Sequence, residues 1–236
     1  MKLIHNFKSP NYNERKSRSV EIIVIHYTAL NSLSNSLKHL CSKKNKVSSH
    51  YLISQQGQIF SLVSEKKRAW HAGQSYWKGK TDVNSISIGI ELDYSPLDKN
   101  NKFSIKLISS LNALLKKLSK KYNISNENIL GHSDIAPYRK RDPGINFPWQ
   151  ILENEKLSYK INFINRSESI NDKINDWLNK NKFRSIKKKI LFMLNYIGYD
   201  TSLALKNKTY FNQLINAYSN HYKLYKSHYY NKKKIF

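Results

Sequence analysis

Two short runs of β-branched residues constrain the fold of this 236-residue chain. Glu21-Ile-Ile-Val-Ile-His26-Tyr27 is largely apolar and leads into a histidine. Ser85-Ile-Ser-Ile-Gly-Ile-Glu91-Leu92 has a similar apolar character and leads into a carboxylate. Short apolar runs of this kind are typical of strands buried inside a sheet. Gly89 within the second run predicts the close approach of a neighbouring backbone.

The segments around these runs predict a mixed α/β fold. Residues 50–54 and 58–63 read as two half-buried strands, and Gln56-Gly57 between them predicts a hairpin. A helix is predicted from Ser104, because apolar residues follow it at helical spacing, and a short strand is predicted over residues 128–132. A long loop follows to Trp149. We therefore predict a mixed β-sheet flanked by helices.

The chain changes character after Glu155. Residues 156–236 carry 17 lysines and arginines against 4 acidic residues, and Gly198 is their single glycine. Apolar residues recur there at helical spacing in three stretches. These are Ile170, Ile174, Trp177 and Leu178; Ile186, Ile190, Leu194 and Ile197; and Phe211, Leu214, Ile215, Tyr218, Tyr222 and Tyr225. Because three amphipathic helices can bury a small core, we predict an α/β domain over residues 1–155 and a basic all-α module over residues 156–236.

The formal charge of +25 predicts attraction to polyanions, whether nucleic acid, anionic lipid or an acidic wall polymer. Lysine supplies 34 of the 41 basic residues, whereas phosphate and base recognition favours arginine, so no specific nucleic-acid partner is predicted. No apolar run reaches the roughly 18 residues of a membrane span, and the first residues lack the apolar segment of a signal peptide. Cys41 is the single cysteine, which excludes an internal disulfide and a zinc site built from cysteines.

Five motifs carry most of the residues with catalytic potential. They are Val-Ile-His26-Tyr-Thr-Ala, Ser-Ser-His50-Tyr-Leu, Ala-Trp-His71-Ala-Gly, Ser-Ile-Gly-Ile-Glu91-Leu and the loop from His132 to Gly144. In this order, over residues 20–152, the chain resembles zinc-dependent N-acetylmuramoyl-L-alanine amidases of the AmpD/AmiD type, which are related to peptidoglycan-recognition proteins. The length and the helical extension are more similar to the longer AmiD kind.

The resemblance implies one zinc ion held by His26, His132 and Asp142. The residue types agree with this, since a catalytic zinc takes three nitrogen or oxygen ligands and keeps a fourth position for water. Taken singly, two of these residues have plainer interpretations. His26 could be a buried structural histidine, and Asp142 before a proline could be a turn residue.

The same resemblance makes Glu91 the general base and gives Lys140 a role in stabilising the oxyanion on the scissile carbonyl. Burial of an unpaired carboxylate is costly, which supports a functional Glu91, although a solvent-facing carboxylate is the alternative. For Lys140 the alternative is a solvated basic loop. His50 and His71 are implied as substrate-binding residues, and both could instead be structural.

The implied reaction is zinc-dependent hydrolysis of the amide between N-acetylmuramic acid, in its ordinary or 1,6-anhydro form, and L-alanine of the peptidoglycan stem peptide. The partners would be peptidoglycan or muropeptides, and the enzyme would be a monomer. It would be located at the cell envelope rather than in the cytoplasm, where the basic module would contact wall polymer or an anionic surface. Three alternatives stay open: a non-catalytic peptidoglycan-binding protein on this fold, a basic nucleic-acid-binding protein, and a zinc hydrolase of another amide, such as a peptidase.

Overall fold

The structure, a computed structural model, describes residues 2–17, 19–98, 102–160 and 168–222. The strands are β1 (Leu3–Ile4), β2 (Tyr12–Glu14), β3 (Ile22–Tyr27), β4 (Tyr51–Ile53), β5 (Ile59–Ser61), β6 (Lys67–Ala69), β7 (Ser87–Leu92) and β8 (Ile129–Gly131). The helices are α1 (Leu33–Cys41), α2 (Val83–Ile86), α3 (Ile105–Tyr122), α4 (His132–Ile135), α5 (Trp149–Asn154), α6 (Glu168–Lys180), α7 (Ile186–Ile197), α8 (Ser202–Lys206) and α9 (Lys208–Tyr222).

A mixed sheet of six strands, in the order β1-β5-β4-β7-β3-β8, forms the centre of the fold. β3 pairs in parallel with β7 on one side and with β8 on the other, while β4 and β5 form the predicted hairpin. β2 and β6 make a separate antiparallel pair. Within the sheet His26 pairs with Glu91, and β8 leads directly into His132. Three predicted functional residues therefore meet at the carboxyl ends of neighbouring parallel strands.

Helix α3 covers one face of the sheet. Ile23 and Ile25 of β3 are completely buried on this face and belong to one hydrophobic cluster with the leucines of α3. The helix begins after Ser104, whose side-chain oxygen accepts a hydrogen bond from the Leu107 N–H at 3.1 Å. This arrangement confirms the amphipathic helix predicted from Ser104.

The C-terminal helices pack on the opposite face. Ile22 and Val24 alternate with the α3-facing residues along β3 and lie in a second buried cluster. The members of this cluster from α7, α8 and α9 include Leu191, Leu194, Ala204 and Leu214. The division of the chain at residue 155 stays a prediction, and the observed packing joins the two predicted parts through a shared core.

Two predicted elements differ from the structure near the site. Of the run predicted as a strand, residues 85 and 86 belong to the helical turn α2, and the strand begins at Ser87. The predicted loop after residue 132 opens with the helical turn α4. Both turns are only four residues long, so neither has a periodic pattern that a sequence can display.

The C-terminal region contains α8 in addition to the three predicted helices, which correspond to α6, α7 and α9. On α6, Leu178 is buried, whereas Ile174 and Trp177 are 38% and 51% exposed, because the helix packs through few of its turns. Tyr225 and the side chain of Ile170 lie outside the described residues. Within the described ranges, none of the helices combines the length and the apolar character that a bilayer crossing needs.

Candidate metal centre and catalytic site

Three side chains converge just beyond the parallel strands. Nδ1 of His26 lies 2.9 Å from Nδ1 of His132, and Oδ2 of Asp142 lies 3.1 and 3.0 Å from these two nitrogens. All three residues are buried, and they form a group that could hold a metal ion. Ligands bound at about 2.0–2.1 Å in a tetrahedral site are roughly 3.3 Å apart, so the observed triangle is close to one face of such a site.

A chain of hydrogen bonds determines which nitrogen of His26 carries the proton. The Ser87 hydroxyl donates to the Val83 carbonyl oxygen at 2.6 Å, so its oxygen accepts from Nε2–H of His71 at 3.1 Å. Nδ1 of His71 is then the acceptor for Nε2–H of His26, at 3.0 Å. A neutral imidazole carries one proton. Nδ1 of His26 therefore presents its lone pair to the centre.

A backbone hydrogen bond fixes the tautomer of His132, as His71 does for His26. Its Nε2–H donates to the Ala72 carbonyl oxygen at 3.1 Å, which leaves Nδ1 with a lone pair. Burial, followed by the neighbouring His132, lowers the pKa of His26 to about 4. In these tautomers the two nitrogens and the Asp142 carboxylate direct lone pairs at one another, and a metal cation between them would satisfy all three. The residues present fit a metal ion that accepts nitrogen and carboxylate oxygen.

Glu91 lies next to this centre, paired with His26 across β3 and β7. Its Oε2 is buried and has no hydrogen-bond partner among the described residues. Burial, with the nearby Asp142 carboxylate, raises the pKa of Glu91 to about 8, although Lys140 acts in the opposite direction. A cavity of about 230 Å³ is lined by Glu91 and the three converging residues. A carboxylate with a raised pKa and a buried, unpartnered oxygen at such a cavity is typical of a catalytic acid or base.

The family model Amidase_2, described as N-acetylmuramoyl-L-alanine amidase, matches residues 16–145, which is more than half of the chain. The chain belongs to this amidase family. The matched segment contains His26, Glu91, His132 and Asp142.

Individual amidases share both sequence and fold with the chain. AmiD of Escherichia coli is 40% identical over an alignment of 151 residues, and the alignment covers 58% of this chain but only 54% of AmiD. AmpD of Haemophilus influenzae, a 1,6-anhydro-N-acetylmuramyl-L-alanine amidase, is 32% identical over an alignment of 164 residues, and the alignment covers 61% of this chain and 86% of that protein. The aligned sequence therefore spans about half the length of AmiD.

Solved structures extend the similarity to the C-terminal helices. The complex of AmiD from E. coli with the substrate anhydro-N-acetylmuramic acid-L-Ala-D-γ-Glu-L-Lys has a TM-score of 0.72 at 30% identity, and covers 90% of this chain and 89% of that one. AmpDH3 from Pseudomonas aeruginosa, in complex with anhydromuramic pentapeptide, has the same TM-score at 28% identity. This match covers 92% of the present chain and 89% of AmpDH3. The predicted fold class, a mixed sheet flanked by helices with C-terminal helices added, is confirmed.

In this member of the amidase family, the three basic residues of the site loop have different environments. Arg139 donates to the carbonyl oxygens of Ala72 and Gln74 at 2.8 and 2.7 Å, so the backbone engages its charge. Arg141 likewise donates to backbone carbonyl oxygens of its own loop. Lys140 instead lines the cavity together with His26, His132 and Asp142. A catalytic role for Lys140 stays a prediction, and its position is compatible with that role.

The two histidines predicted to bind substrate have different positions: His71 lines the cavity beside His26, whereas His50 is not among the residues that line it. The ring of His71 covers Gly89, where a Cβ atom would come within 2.4 Å of the ring. His50 is completely buried: the Gly89 N–H donates to its Nδ1, and its Nε2–H donates to the Lys67 carbonyl oxygen, each at 3.0 Å. Substrate binding by His50 and His71 stays a prediction. The contact of His71 with Nε2 of His26 orients that ring, whereas the hydrogen bonds of His50 are to Gly89, Lys67 and Arg15.

Sequence reasoning missed Ser87 and assigned no role to Asp134. Ser87, Gly89 and Glu91 lie on one face of β7, and this alternation is the signal that could have identified Ser87 as part of the site. Asp134 is buried and bonds to Tyr199 and His221, which are 65 and 87 residues away in the chain. No local sequence pattern records partners at that distance.

Proposed function

We propose that this protein is a zinc-dependent N-acetylmuramoyl-L-alanine amidase. It hydrolyses the amide between N-acetylmuramic acid, in its ordinary or 1,6-anhydro form, and L-alanine of the stem peptide. The observation that carries the proposal is the convergence of His26, His132 and Asp142 beside Glu91, whose buried Oε2 has no hydrogen-bond partner among the described residues. The similarity to AmiD and AmpDH3, which were solved with anhydromuramyl peptides, supports the substrate class.

Zinc is the metal that this donor set favours. Two imidazole nitrogens and one carboxylate oxygen are common zinc ligands, and a three-ligand site keeps one position open for water or substrate. When bound, zinc supplies Lewis acidity, which polarises a carbonyl group and makes water a stronger nucleophile. The cavity beside the three residues gives substrate access to that position.

The residues of the chain provide the proton transfers. Glu91 accepts a proton from the attacking water as the new carbon–oxygen bond forms, and returns it to the leaving nitrogen as the carbon–nitrogen bond breaks. With a dication close by, the pKa of Glu91 falls below its metal-free value, so the carboxylate is available as a base at neutral pH. Lys140 stabilises the negative charge that develops on the carbonyl oxygen.

The wider role follows from the same chemistry. The partners are peptidoglycan or muropeptides, whose stem peptides carry several carboxylates, and a chain with a formal charge of +25 attracts such polymers. We place the protein at the cell envelope as a monomer, with residues 156–236 contacting wall polymer or an anionic surface. Fractionation of cells and light scattering of the purified chain test these two points.

Product analysis tests the proposal. The full chain is incubated with intact sacculi and, separately, with a soluble anhydro-muropeptide, and the products are identified by mass spectrometry. We expect stem peptides with a free L-alanine amino group and a sugar with a free lactyl carboxylate, and no products from the Glu91→Gln variant. Cleavage of the stem peptide without its sugar would favour a peptidase. Binding to sacculi without cleavage would favour a recognition protein, and salt-dependent DNA affinity without cleavage a nucleic-acid-binding protein.

A further inference from the structure

Asp134 lies two residues after His132 and is fully buried, yet it does not point to the metal centre. Its carboxylate accepts three hydrogen bonds, which join three separate parts of the chain. The Gly131 N–H donates to Oδ2 at 2.7 Å, the Tyr199 hydroxyl donates to Oδ1 at 2.6 Å, and Nδ1–H of His221 donates to Oδ2 at 2.7 Å. Two of the three donors come from the C-terminal helical region.

The two distant donors are themselves held firmly. The His221 ring is stacked between Trp149 and Tyr222, with centroids 3.7 and 4.3 Å away, and its Nε2 lies 3.1 Å from the Ser158 hydroxyl. Tyr199 is completely buried, and burial together with the Asp134 carboxylate raises its pKa, so that its hydroxyl keeps the proton that it donates. Packing and hydrogen bonds therefore hold the side chains of Tyr199 and His221 in place against Asp134.

The turn that Asp134 holds also contacts the other end of the metal loop. The Ser133 N–H donates to the Asp142 carbonyl oxygen at 2.9 Å. A Cβ atom at Gly131 would come within 2.5 Å of Cδ of Pro143, so the two segments are in close contact. A displacement of the turn at residues 131–134 would consequently move His132 and Asp142 together, and these are two of the three converging residues.

We propose that Tyr199 and His221 are positioning residues for the metal centre and act through Asp134. In this arrangement the C-terminal helices hold the turn that carries His132, and the metal affinity of the site depends on them. Because coupling between two sites is reciprocal, bound metal stabilises the packing of Tyr199 and His221 in return. The inference rests on the metal site of the proposed function and assigns the helices a role in that site besides contact with polymer.

Zinc affinity of the full chain distinguishes positioning from simple packing. Tyr199→Phe removes a hydroxyl and keeps the ring, His221→Phe keeps a flat ring against Trp149, and Tyr196→Phe is the matched control because Tyr196 is 85% exposed. Affinity is measured by competition with a chelator, well below the melting temperature of each variant. We expect zinc to bind about 10-fold more weakly in the two test variants, which is typical of changes to residues that support metal ligands. In the control variant the zinc affinity should be unchanged.

Turnover gives a second readout that a purely structural role would not produce. In the Tyr199→Phe variant, kcat at limiting zinc should fall, and excess zinc should restore it with KM unchanged. Unchanged zinc affinity in both Tyr199→Phe and His221→Phe, in chains that bind zinc and cleave muropeptide, would overturn the positioning role and leave the proposed function intact. If the unmodified chain binds no zinc, both proposals are overturned.

Discussion

Nε2 of His26 lies 3.0 Å from Nδ1 of His71, and the opposite nitrogen of His71 lies 3.1 Å from the Ser87 hydroxyl. The orientation of a converging histidine thus depends on a serine that lies outside the converging group. Partners in this position set the tautomer and the direction of a ligand, and their loss weakens metal binding. The site therefore extends beyond the three proposed ligands and the proposed general base.

Ser87→Ala tests the hydrogen bonds that orient His26 through His71. The variant removes the oxygen that accepts from His71, so we expect zinc affinity to fall about 10-fold while KM stays unchanged. Ser110→Ala is the control, because the Ser110 hydroxyl also donates to a backbone carbonyl oxygen, that of Gly57, away from the site. For His71→Ala, a raised KM with unchanged zinc affinity would instead support the predicted role of His71 in substrate binding.

Replacing any one of the three converging residues should remove the metal. We expect His26→Ala, His132→Ala and Asp142→Ala each to lose zinc and amidase activity together, because two remaining ligands hold zinc too weakly. Metal analysis of the purified variants checks this, with His39→Ala as a control that changes a cavity-lining histidine outside the group. A full zinc content in the Asp142 variant would remove that residue from the ligand set.

Glu91→Gln should keep the zinc and lose most of the turnover. The amide has the size of the carboxylate but cannot accept a proton from water, and the loss of a general base costs about 10²- to 10⁴-fold in rate. Zinc content and kcat are measured on the same preparation, so that a loss of metal cannot be taken for a loss of the base. Turnover near that of the unmodified chain would exclude Glu91 as the general base.

Glu91 should also make the metal-free protein sensitive to pH. Its pKa rises from an ordinary 4.5 to about 8 in the folded chain, so between these values the folded state holds a proton that the unfolded state has released. Stability contributed by this group therefore falls as pH rises through that window. We expect the melting temperature of Glu91→Gln, relative to the unmodified chain, to increase from about pH 4.5 to about pH 8 in chelator.

The exposed Glu14, replaced by glutamine, is the control for that measurement, since its side chain is 79% exposed. The comparison between variants also cancels the titration of the buried histidines, which act in the opposite direction. A difference in melting temperature that does not change with pH would contradict the raised pKa of Glu91.

Truncation tests the predicted division at residue 155. The shared core contains Leu194 and Leu214 from the C-terminal helices, and each buried apolar side chain contributes about 1.5–3 kcal/mol. We expect the fragment 1–155 to melt at a lower temperature than the full chain or to aggregate. A fragment 1–160 should melt higher than 1–155, since it retains Leu157 in the α3-side cluster. Equal stability of fragment and full chain would support two independent domains.

Much of the fold followed from local patterns in the sequence. The apolar runs that became β3 and β7 and the spacing of α3 needed no knowledge of distant contacts. By contrast, β1 and β2 are two and three residues long, so no alternation could be seen, and they exist because β5 and β6 pair with them. The packing of the C-terminal helices on the sheet was likewise set by contacts between distant segments.

The candidate site shows the same division. The resemblance to the amidases brought His26, His132 and Asp142 into one expected centre, and the structure brings their ligand atoms together. The environment of His50 could not be predicted, because the motif Ser-Ser-His50-Tyr-Leu does not reveal that both ring nitrogens are engaged by the backbone. A motif identifies a residue type at a position, whereas its exposure is decided by the packing of the whole domain.

The candidate metal site can form only when β3 and β7 pair in the correct register. A slip of one residue between these strands would turn Glu91 to the face covered by α3 and place an isoleucine side chain where Gly89 leaves room for the ring of His71. A chain trapped in such a pairing would contain every ligand and yet no binding site. Under the proposed function, zinc would therefore bind only the correctly paired molecules, and the zinc content of a preparation would fall as the share of mispaired chain rises.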